Sequence, residues 1–234
     1  MIKKVLIFTF LFILSGEIKS QNLEGISGLF YIPTADINID GQFTIGTSYL
    51  NKNYISFGSY QNSAFTPFIT INYLPFLEIS VRITRLINYE GNNQAIGDRT
   101  VSTRVKIFNE NEILPAVVIG FHDILSAFGG VSAIHNSALY IVGSKNIFIY
   151  KNDIKLGIST GYGTDFIKAQ HHNFIGLFGG LSFTFYNFFE LMNEYDGKYS
   201  NGGVRIKLFD HFTLLAGFLR YKHFSGGASV SWVL

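Results

Sequence analysis

Segments of about ten residues, in which apolar and polar side chains alternate, recur along this sequence. The clearest is 76–86, FLEISVRITRL, and the same alternation appears in 99–108, 154–162 and 223–234. Successive side chains of a β-strand point to opposite faces, so each segment predicts a strand with one apolar and one polar face. Transmembrane β-barrels and soluble β-sandwiches are both built from such strands. The alternation therefore predicts an all-β protein and leaves these two architectures open.

The connections between the predicted strands differ in length in a regular way. Those after odd-numbered strands are mostly long, as in 51–64 and 123–137, and those after even-numbered strands are mostly short, as in 74–75 and 186–187. Short turns on one side, long loops on the other and an even strand number are typical of outer-membrane barrels. We therefore predict a transmembrane antiparallel up-and-down β-barrel of about 12 strands (roughly 10–14), with both ends on the short-turn side. The predicted strands are 42–50, 65–73, 76–87, 99–108, 113–122, 138–146, 154–163, 174–185, 188–196, 201–208, 212–221 and 224–234.

Composition favours the barrel over the sandwich. Only 15% of the residues are charged, 47% are hydrophobic, and the chain contains 24 Phe, 13 Tyr and 1 Trp. Many aromatic residues lie at the ends of predicted strands, where membrane barrels have aromatic girdles. The predicted girdle residues are Tyr49, Tyr73, Phe76, Phe108, Phe121, Phe174, Phe185, Tyr186, Phe188, Phe189, Tyr195, Phe209, Phe212 and Tyr221. The lack of cysteine argues against a disulfide scaffold, and the lack of a large basic surplus argues against a nucleic-acid binder.

The first twenty residues have the order of a secretory signal peptide. A basic start at 1–4 is followed by the apolar run 5–14, VLIFTFLFIL, and by a more polar stretch that ends in Ser20. The run is too short for a membrane-spanning helix, which needs about 20 apolar residues. We predict cleavage after Ser20, and the small positive charge of the chain leaves with the signal peptide.

The predicted cleavage defines three regions. They are a signal peptide at 1–20, an N-terminal segment at the periplasmic mouth at 21–41, and an outer-membrane barrel at 42–234. The N-terminal segment contains Pro33 and the turn signal Asp40-Gly41. Two interpretations of it stay open: a contact for periplasmic partners, and a loop ordered against the barrel rim.

The polar faces of the predicted strands carry acidic and basic residues that would point into the barrel. One interpretation is an ion-pair network in which arginines and glutamates pair and fill a narrow lumen. The other is a polar passage or docking surface for an anionic glycan, because arginine binds carboxylates well. Twelve strands lie between barrels that side chains fill and open porins, so the strand number does not decide. The predicted lumen cluster is Glu78, Arg82, Arg104, Lys106, Glu190, Glu194, Arg205 and Lys207, with Lys145 and Lys155 assigned to the same face.

Candidate catalytic and metal-binding residues are few. His122 and Asp123 lie at the outer end of a predicted strand, but no spacing marks a nearby serine as a nucleophile. His171 and His172 can meet His135 across neighbouring outer loops, yet no Cys or carboxylate cluster joins them as in metal sites. We therefore predict no catalytic residue, no metal site and no cofactor.

Several short motifs follow one another along the chain. They are 28–41 (GLFYIPTADINIDG), 74–82 (LPFLEISVR), 97–99 (GDR), 143–146 (GSKN), 194–197 (EYDG) and 224–227 (FSGG). Their succession resembles the YjbH (GfcD-like) family of outer-membrane proteins associated with exopolysaccharide production. The familiar members are much longer, so this chain resembles a single-barrel version. The resemblance implies an outer-membrane barrel linked to export or assembly of surface polysaccharide.

Three functions are consistent with these observations. The first is a non-enzymatic barrel in the outer membrane of a Gram-negative cell that assists production or export of exopolysaccharide or a capsule-type polysaccharide. The second is a small general porin or structural barrel, and the third is a barrel enzyme at the outer rim. The expected partners are outer-membrane lipid, the barrel-assembly machinery, polysaccharide and periplasmic export proteins, and no nucleic acid.

Overall fold

The described part of the chain folds into one closed antiparallel β-barrel of twelve strands. The computed structural model describes residues 21–53, 62–88, 96–127, 136–149, 153–167, 169, 171–209 and 211–234. The predicted signal peptide and His135 lie outside these residues. The barrel strands are β1 (Gln42–Leu50), β2 (Ala64–Leu74), β3 (Leu77–Leu86), β4 (Ile96–Phe108), β5 (Ala116–His122), β6 (Asn136–Ile149), β7 (Ile154–Thr164), β9 (Gly176–Phe185), β10 (Phe189–Tyr195), β11 (Ser200–Leu208), β12 (Phe212–Leu219) and β13 (His223–Val233).

Each barrel strand pairs with the next one along the chain, and the first strand pairs with the last. Gln42 of β1 lies opposite Asn72 of β2 on one side and opposite Val233 of β13 on the other. A two-residue strand, β8 (His171–His172), lies outside this order and pairs in parallel with the start of β6. The predicted up-and-down barrel of about 12 strands is confirmed, and its strand boundaries agree with the structure to within a few residues.

The connections follow the predicted alternation of short and long except after β10 and β12, where 196–199 and 220–222 are short. Turns such as 75–76 and 186–188 join strands at the end of the barrel that holds both chain termini, which we call the short-turn mouth. A 3₁₀ helix, Ile124–Ala127, follows β5 at the opposite, long-loop end. No helix in the described residues is long and apolar enough to cross a membrane.

The barrel places its polar side chains inside and its apolar side chains outside. On β3, Glu78 and Arg82 are buried, whereas Ile79 and Val81 are 37% and 46% exposed. Most other strands show the same inversion and expose isoleucine, leucine or phenylalanine on their outer faces, whereas the inner face of β6 carries the buried Ala138, Tyr140 and Val142. A protein whose fold is stabilised in water buries these residues instead. The outer surface of the barrel is therefore apolar, and its interior holds the buried charged residues together with the apolar side chains of residues 21–41.

Residues 21–41, which we call the plug segment, lie inside the barrel. Leu23, Ile26, Phe30 and Ile32 of this segment are fully buried. The segment leaves the lumen at the short-turn mouth, where Gly41 adopts a left-handed backbone conformation (φ +74°) as the Asp40-Gly41 turn signal predicts. The Gly41 N–H donates to the Asn72 carbonyl at 2.7 Å, which ties the end of the segment to β2.

Most of the predicted girdle aromatics are at strand ends on the outer surface, including Tyr73, Phe108 and Tyr186. Phe174 is an exception, because it is buried and faces the lumen. Its ring centroid lies 5.1 Å from that of Tyr31 in the plug segment. The assignment of Phe174 to a girdle is wrong, because Phe174 lies in the connection before β9 and packs inward against Tyr31 and Phe178.

Candidate functional site: a plugged lumen

The plug segment has a compact structure of its own. The Asn22 side-chain carbonyl accepts hydrogen bonds from the backbone N–H groups of Glu24 at 2.9 Å and Ile26 at 3.3 Å. Isolated β-bridges join Gln21 to Ser27 and Gly28 to Pro33. These local bonds satisfy part of the backbone, and the remaining polar groups turn toward the barrel wall, which must satisfy them because they are buried.

Arg104 of β4 joins the plug segment to the barrel wall. One guanidinium nitrogen, Nη1, lies 2.7 Å from Glu78 Oε1 of β3 and donates to the Ser27 carbonyl at 2.9 Å. The other, Nη2, donates to the Thr34 carbonyl. Glu78 in turn accepts hydrogen bonds from the N–H group of Ser27 at 3.0 Å and from its hydroxyl. Arg104 and Glu78 are fully buried, so each depends on the other for charge compensation.

A second contact is made by Glu24, which belongs to the plug segment itself. Its carboxylate forms an ion pair with Arg82 of β3 and lies 3.1 Å from Nε2 of His122. Nδ1 of His122 lies 3.0 Å from the Ser102 hydroxyl oxygen. Burial alone would raise the pKa of the Glu24 carboxyl, but the charges and hydrogen bonds of Arg82 and His122 hold it below its ordinary value.

Arg205 of β11 provides the third contact. Its Nη1 lies 2.6 Å from Glu190 Oε2 on the neighbouring β10. Its Nη2 donates to the carbonyls of Gly28 at 2.7 Å and Leu29 at 2.8 Å. The wall therefore satisfies the plug carbonyls with arginine at two separate places.

The fourth contact is made by a glutamate of the wall rather than by an arginine. Glu194 of β10 accepts hydrogen bonds from three consecutive backbone N–H groups of the plug, those of Phe30, Tyr31 and Ile32, at 2.9–3.2 Å. Asn201 donates to the same carboxylate at 3.1 Å. Successive N–H groups that converge on one point form an anion-binding nest. The plug thus presents carbonyls to arginines and N–H groups to a carboxylate.

Glycines in the wall make room for the apolar side chains of the plug. A methyl group at Gly203 would lie 2.6 Å from Cδ2 of Phe30, and one at Gly180 would lie 2.6 Å from Cδ1 of Leu29. Both distances are too short for a carbon contact. Gly217 faces the same Phe30 ring. These glycines allow the plug side chains to pack closely against β9, β11 and β12.

The remaining residues of the predicted lumen cluster lie nearer the short-turn mouth. Lys106 of β4 and Lys207 of β11 are half-buried on the inner faces of their strands. Lys155 is also on an inner face, but Lys145 alternates with Ser144 and lies on the same side of β6 as the exposed Ile141. The placement of Lys145 in the lumen is therefore wrong. Its ammonium group instead lies 3.5 Å from Glu110 and donates to carbonyls of the neighbouring turn.

A cavity of about 670 Å³ opens at the short-turn mouth. One wall is the plug segment at Asp36 and Ile37, and the other walls are the ends of β4 and β6, the start of β7 and the turn after β4. Asn146 forms part of its floor, where its amide nitrogen donates to Asp36 at 3.1 Å and to Glu110 at 2.8 Å. A separate small cavity of about 30 Å³ extends from Lys155 toward Glu190 and Arg205.

Ser102 contacts His122, which in turn contacts Glu24, and hydrolytic triads have the same succession of serine, histidine and carboxylate. Ser102 is 2% exposed, His122 is 0% exposed, and Glu24 is shared with Arg82. A nucleophile must reach its substrate. This arrangement, enclosed between plug and wall, holds the plug and does not present a serine to a substrate.

No group of three or more potential metal ligands occurs among the described residues. His171 and His172 form the short strand β8, and His172 Nε2 lies 2.9 Å from the Ile167 carbonyl. Asp123, beside His122, adopts a positive φ of 57° at the end of β5 and is buried.

Two parts of this site could not be predicted from the sequence. Glu24 lies in a segment without periodic hydrophobicity, so nothing in the pattern related it to Arg82, which is 58 residues away in sequence. The backbone groups of residues 27–32 leave no signal in a sequence at all. The glycine-rich strand pieces were a usable signal, because an inward-facing glycine in a barrel strand indicates a close approach by another part of the protein.

The fold and its interior define the class of this protein: a closed β-barrel whose polar lumen holds the N-terminal part of the same chain. A family model described as exopolysaccharide biosynthesis protein, the YjbH family, matches residues 20–211. The match spans the plug segment and the strands from β1 to β11, and the chain belongs to this family. The resemblance predicted from the sequence motifs is thereby confirmed. No curated protein sequence matches the chain.

Proposed function

We propose that this protein is an outer-membrane β-barrel that assists the production or export of exopolysaccharide without catalysing a reaction. The observation that carries the proposal is the inverted barrel, whose outer face exposes residues such as Ile69, Ile83 and Ile141 while its charged residues Glu78, Arg104 and Arg205 are buried in the interior. A bilayer, in which closed barrels satisfy every backbone hydrogen bond, is the solvent that such a surface requires. The family connects the barrel to exopolysaccharide.

The predicted signal peptide and the barrel fit one route to this location. Export across the inner membrane would remove residues 1–20, and the barrel-assembly machinery would insert the strands into outer-membrane lipid. The short-turn mouth, which holds both ends of the barrel, would then face the periplasm, as the connection lengths predict. Periplasmic export proteins would meet the protein at that mouth.

The plug segment favours an assisting role over the general porin. Porins with sixteen or more strands leave an aqueous channel, whereas this twelve-stranded lumen holds buried residues of its own chain. A solute passing through would have to displace a segment held by the Glu24–Arg82 ion pair, by hydrogen bonds from Arg104 and Arg205, and by the nest around Glu194. We expect purified protein to show no steady conductance in planar bilayers.

A gene deletion with complementation tests the function. Deleting the gene should lower the amount of surface polysaccharide, and a plasmid copy should restore it. Membrane fractionation should recover the protein in the outer membrane with a gel mobility that changes on heating. An unchanged polysaccharide level together with steady conductance would overturn the proposal in favour of a porin.

A further inference from the structure

The cavity at the short-turn mouth has the size and lining of a ligand site. Its volume of about 670 Å³ falls in the range of small-molecule sites, roughly 300–1,000 Å³. It lies between the plug segment and the wall, so a molecule bound there would contact Asp36 and Ile37 of the plug. None of the contacts that hold the plug at Arg82 or Glu194 reaches it.

An exposed aromatic ring faces this cavity. Phe148 lies on the inner face of β6, two positions after Asn146, and its partner across the strands is Lys155 of β7. Despite this inward position it is 55% exposed and forms part of the cavity wall. An aromatic face that is open to an aqueous cavity costs free energy unless something covers it. A flat ring of this kind suits the C–H face of a sugar, because the face of an aromatic ring carries negative charge.

The polar lining is balanced in charge and already arranged. Three lysines and three carboxylates line the cavity: Lys106, Lys145, Lys155, Asp36, Glu110 and Glu112. The Glu110 carboxylate is fixed by the backbone N–H group and the side-chain amide of Asn146, both at 2.8 Å. Such a mixture of donors and acceptors suits hydroxyl groups, which do both. A polyanion would need a surplus of positive charge, which this cavity lacks.

We propose that this cavity binds a short stretch of an uncharged polysaccharide chain, with one sugar ring on Phe148 and its hydroxyl groups on Lys155, Asn146 and the neighbouring carboxylates. The proposal rests on the proposed function and names the ligand class for it. Because Asp36 and Ile37 form one wall, the bound glycan would touch the plug. The site lies at the mouth where a glycan arriving from the periplasm would first meet the barrel.

The test uses the full-length protein in detergent and oligosaccharides from partial hydrolysis of the producing strain's own surface polysaccharide. The oligosaccharides are separated by charge into uncharged and acidic pools, and binding is measured by calorimetry and saturation-transfer NMR. The uncharged pool should bind. Phe148→Ala should weaken that binding about tenfold, and Lys155→Ala should also weaken it. Tyr73→Ala, which removes an aromatic residue from the outer face at the same mouth, should not change it.

Heat-dependent gel mobility shows that each variant is folded. The proposal is overturned if no oligosaccharide binds, if only the acidic pool binds, or if Phe148→Ala and Tyr73→Ala bind alike. Absence of binding alongside a deletion strain that loses polysaccharide would reject this site and leave the proposed function standing. Binding of the uncharged pool, together with a normal polysaccharide level in the deletion strain, would support this site and reject the proposed function.

Discussion

Replacing Arg104 by alanine is the most direct way to loosen the plug. Its guanidinium compensates Glu78 at 2.7 Å and donates to the Ser27 and Thr34 carbonyls of the plug. The substitution leaves a carboxylate buried without its cation and two buried carbonyls without a donor. Breaking a buried ion pair by removing one partner costs about 3–5 kcal/mol, and an orphaned buried acceptor costs about 1–3 kcal/mol. These terms share one site and do not add fully, so we expect a loss of at least about 3 kcal/mol.

The loss should appear in two assays. Urea unfolding of the protein in detergent micelles or vesicles gives the free energy, and planar-bilayer recordings show whether the lumen opens. Lys145→Ala is the matched control, because Lys145 also forms an ion pair, but its pair with Glu110 is partly exposed, with side-chain exposures of 28% and 23%. Exposed pairs contribute below about 1 kcal/mol. Lys145→Ala should have a free energy of unfolding close to that of the parent protein, and its lumen should show no conductance.

A double variant separates charge from shape. Arg104→Met with Glu78→Gln removes both charges and retains an acceptor for Ser27, so it should recover part of the stability that Arg104→Ala loses. A loss for Arg104→Ala below about 1 kcal/mol, with the lumen still closed, would refute the assignment of Arg104 as a principal anchor of the plug.

Three further substitutions test other parts of the site. Gly203→Ala should destabilise the folded protein by about 1–3 kcal/mol in urea unfolding, because the added methyl group would lie 2.6 Å from Phe30. Gly143→Ala is the control and should change the stability little, because the nearest atom to its methyl group would be 3.7 Å away. Equal losses for the two variants would contradict the packing argument. The Glu24 carboxyl has a pKa below its ordinary value of 4.5, so it stabilises the folded state above that pH and this contribution falls as the solution becomes more acidic. Glu24→Gln should therefore flatten the loss of stability measured by unfolding as the pH falls below about 4.5, and an unaltered pH profile would count against the ion pair. Ser102→Ala should leave polysaccharide production in a complementation assay unchanged, whereas an enzyme with this serine as nucleophile would lose it.

The strands were predictable because one physical rule governs them. On β3 every second residue meets the apolar surroundings of the barrel and the others meet its polar interior, so alternation appears in the sequence. The rule fails on β6, where residues 138–142 (ALYIV) are all apolar. Ala138, Tyr140 and Val142 face inward and pack in the same core as the apolar side chains of the plug, so both faces of the strand are apolar. Without alternation, the face that carries Lys145 could not be assigned.

The pairing of the lumen charges was only partly predictable. Arg205 and Glu190 lie opposite each other on neighbouring strands, and register alone brings them together. Arg82 and Glu194, in contrast, bind plug residues that are 58 and 164 residues away in sequence, and the path of the plug through the lumen depends on side-chain packing. The secondary-structure propensity of a short segment carries no information about contacts between residues so far apart in sequence. What could be inferred was that buried charges need partners, and the structure identifies the plug backbone as one of them.

The distribution of charge also limits where this barrel can meet a glycan. Arg82, Arg104 and Arg205 each already bind a carboxylate, and Arg104 and Arg205 also bind plug carbonyls, so none of them is available to an anionic sugar while the plug is in place. A glycan that bound them would have to supply equivalent acceptors and expel an apolar segment that packs around Phe30 into water, an exchange that loses the burial of several large side chains. The polar groups beside Phe148 at the short-turn mouth require no such exchange. Glycan contact at the mouth, with the plug as one wall, is therefore favoured over passage through the closed lumen.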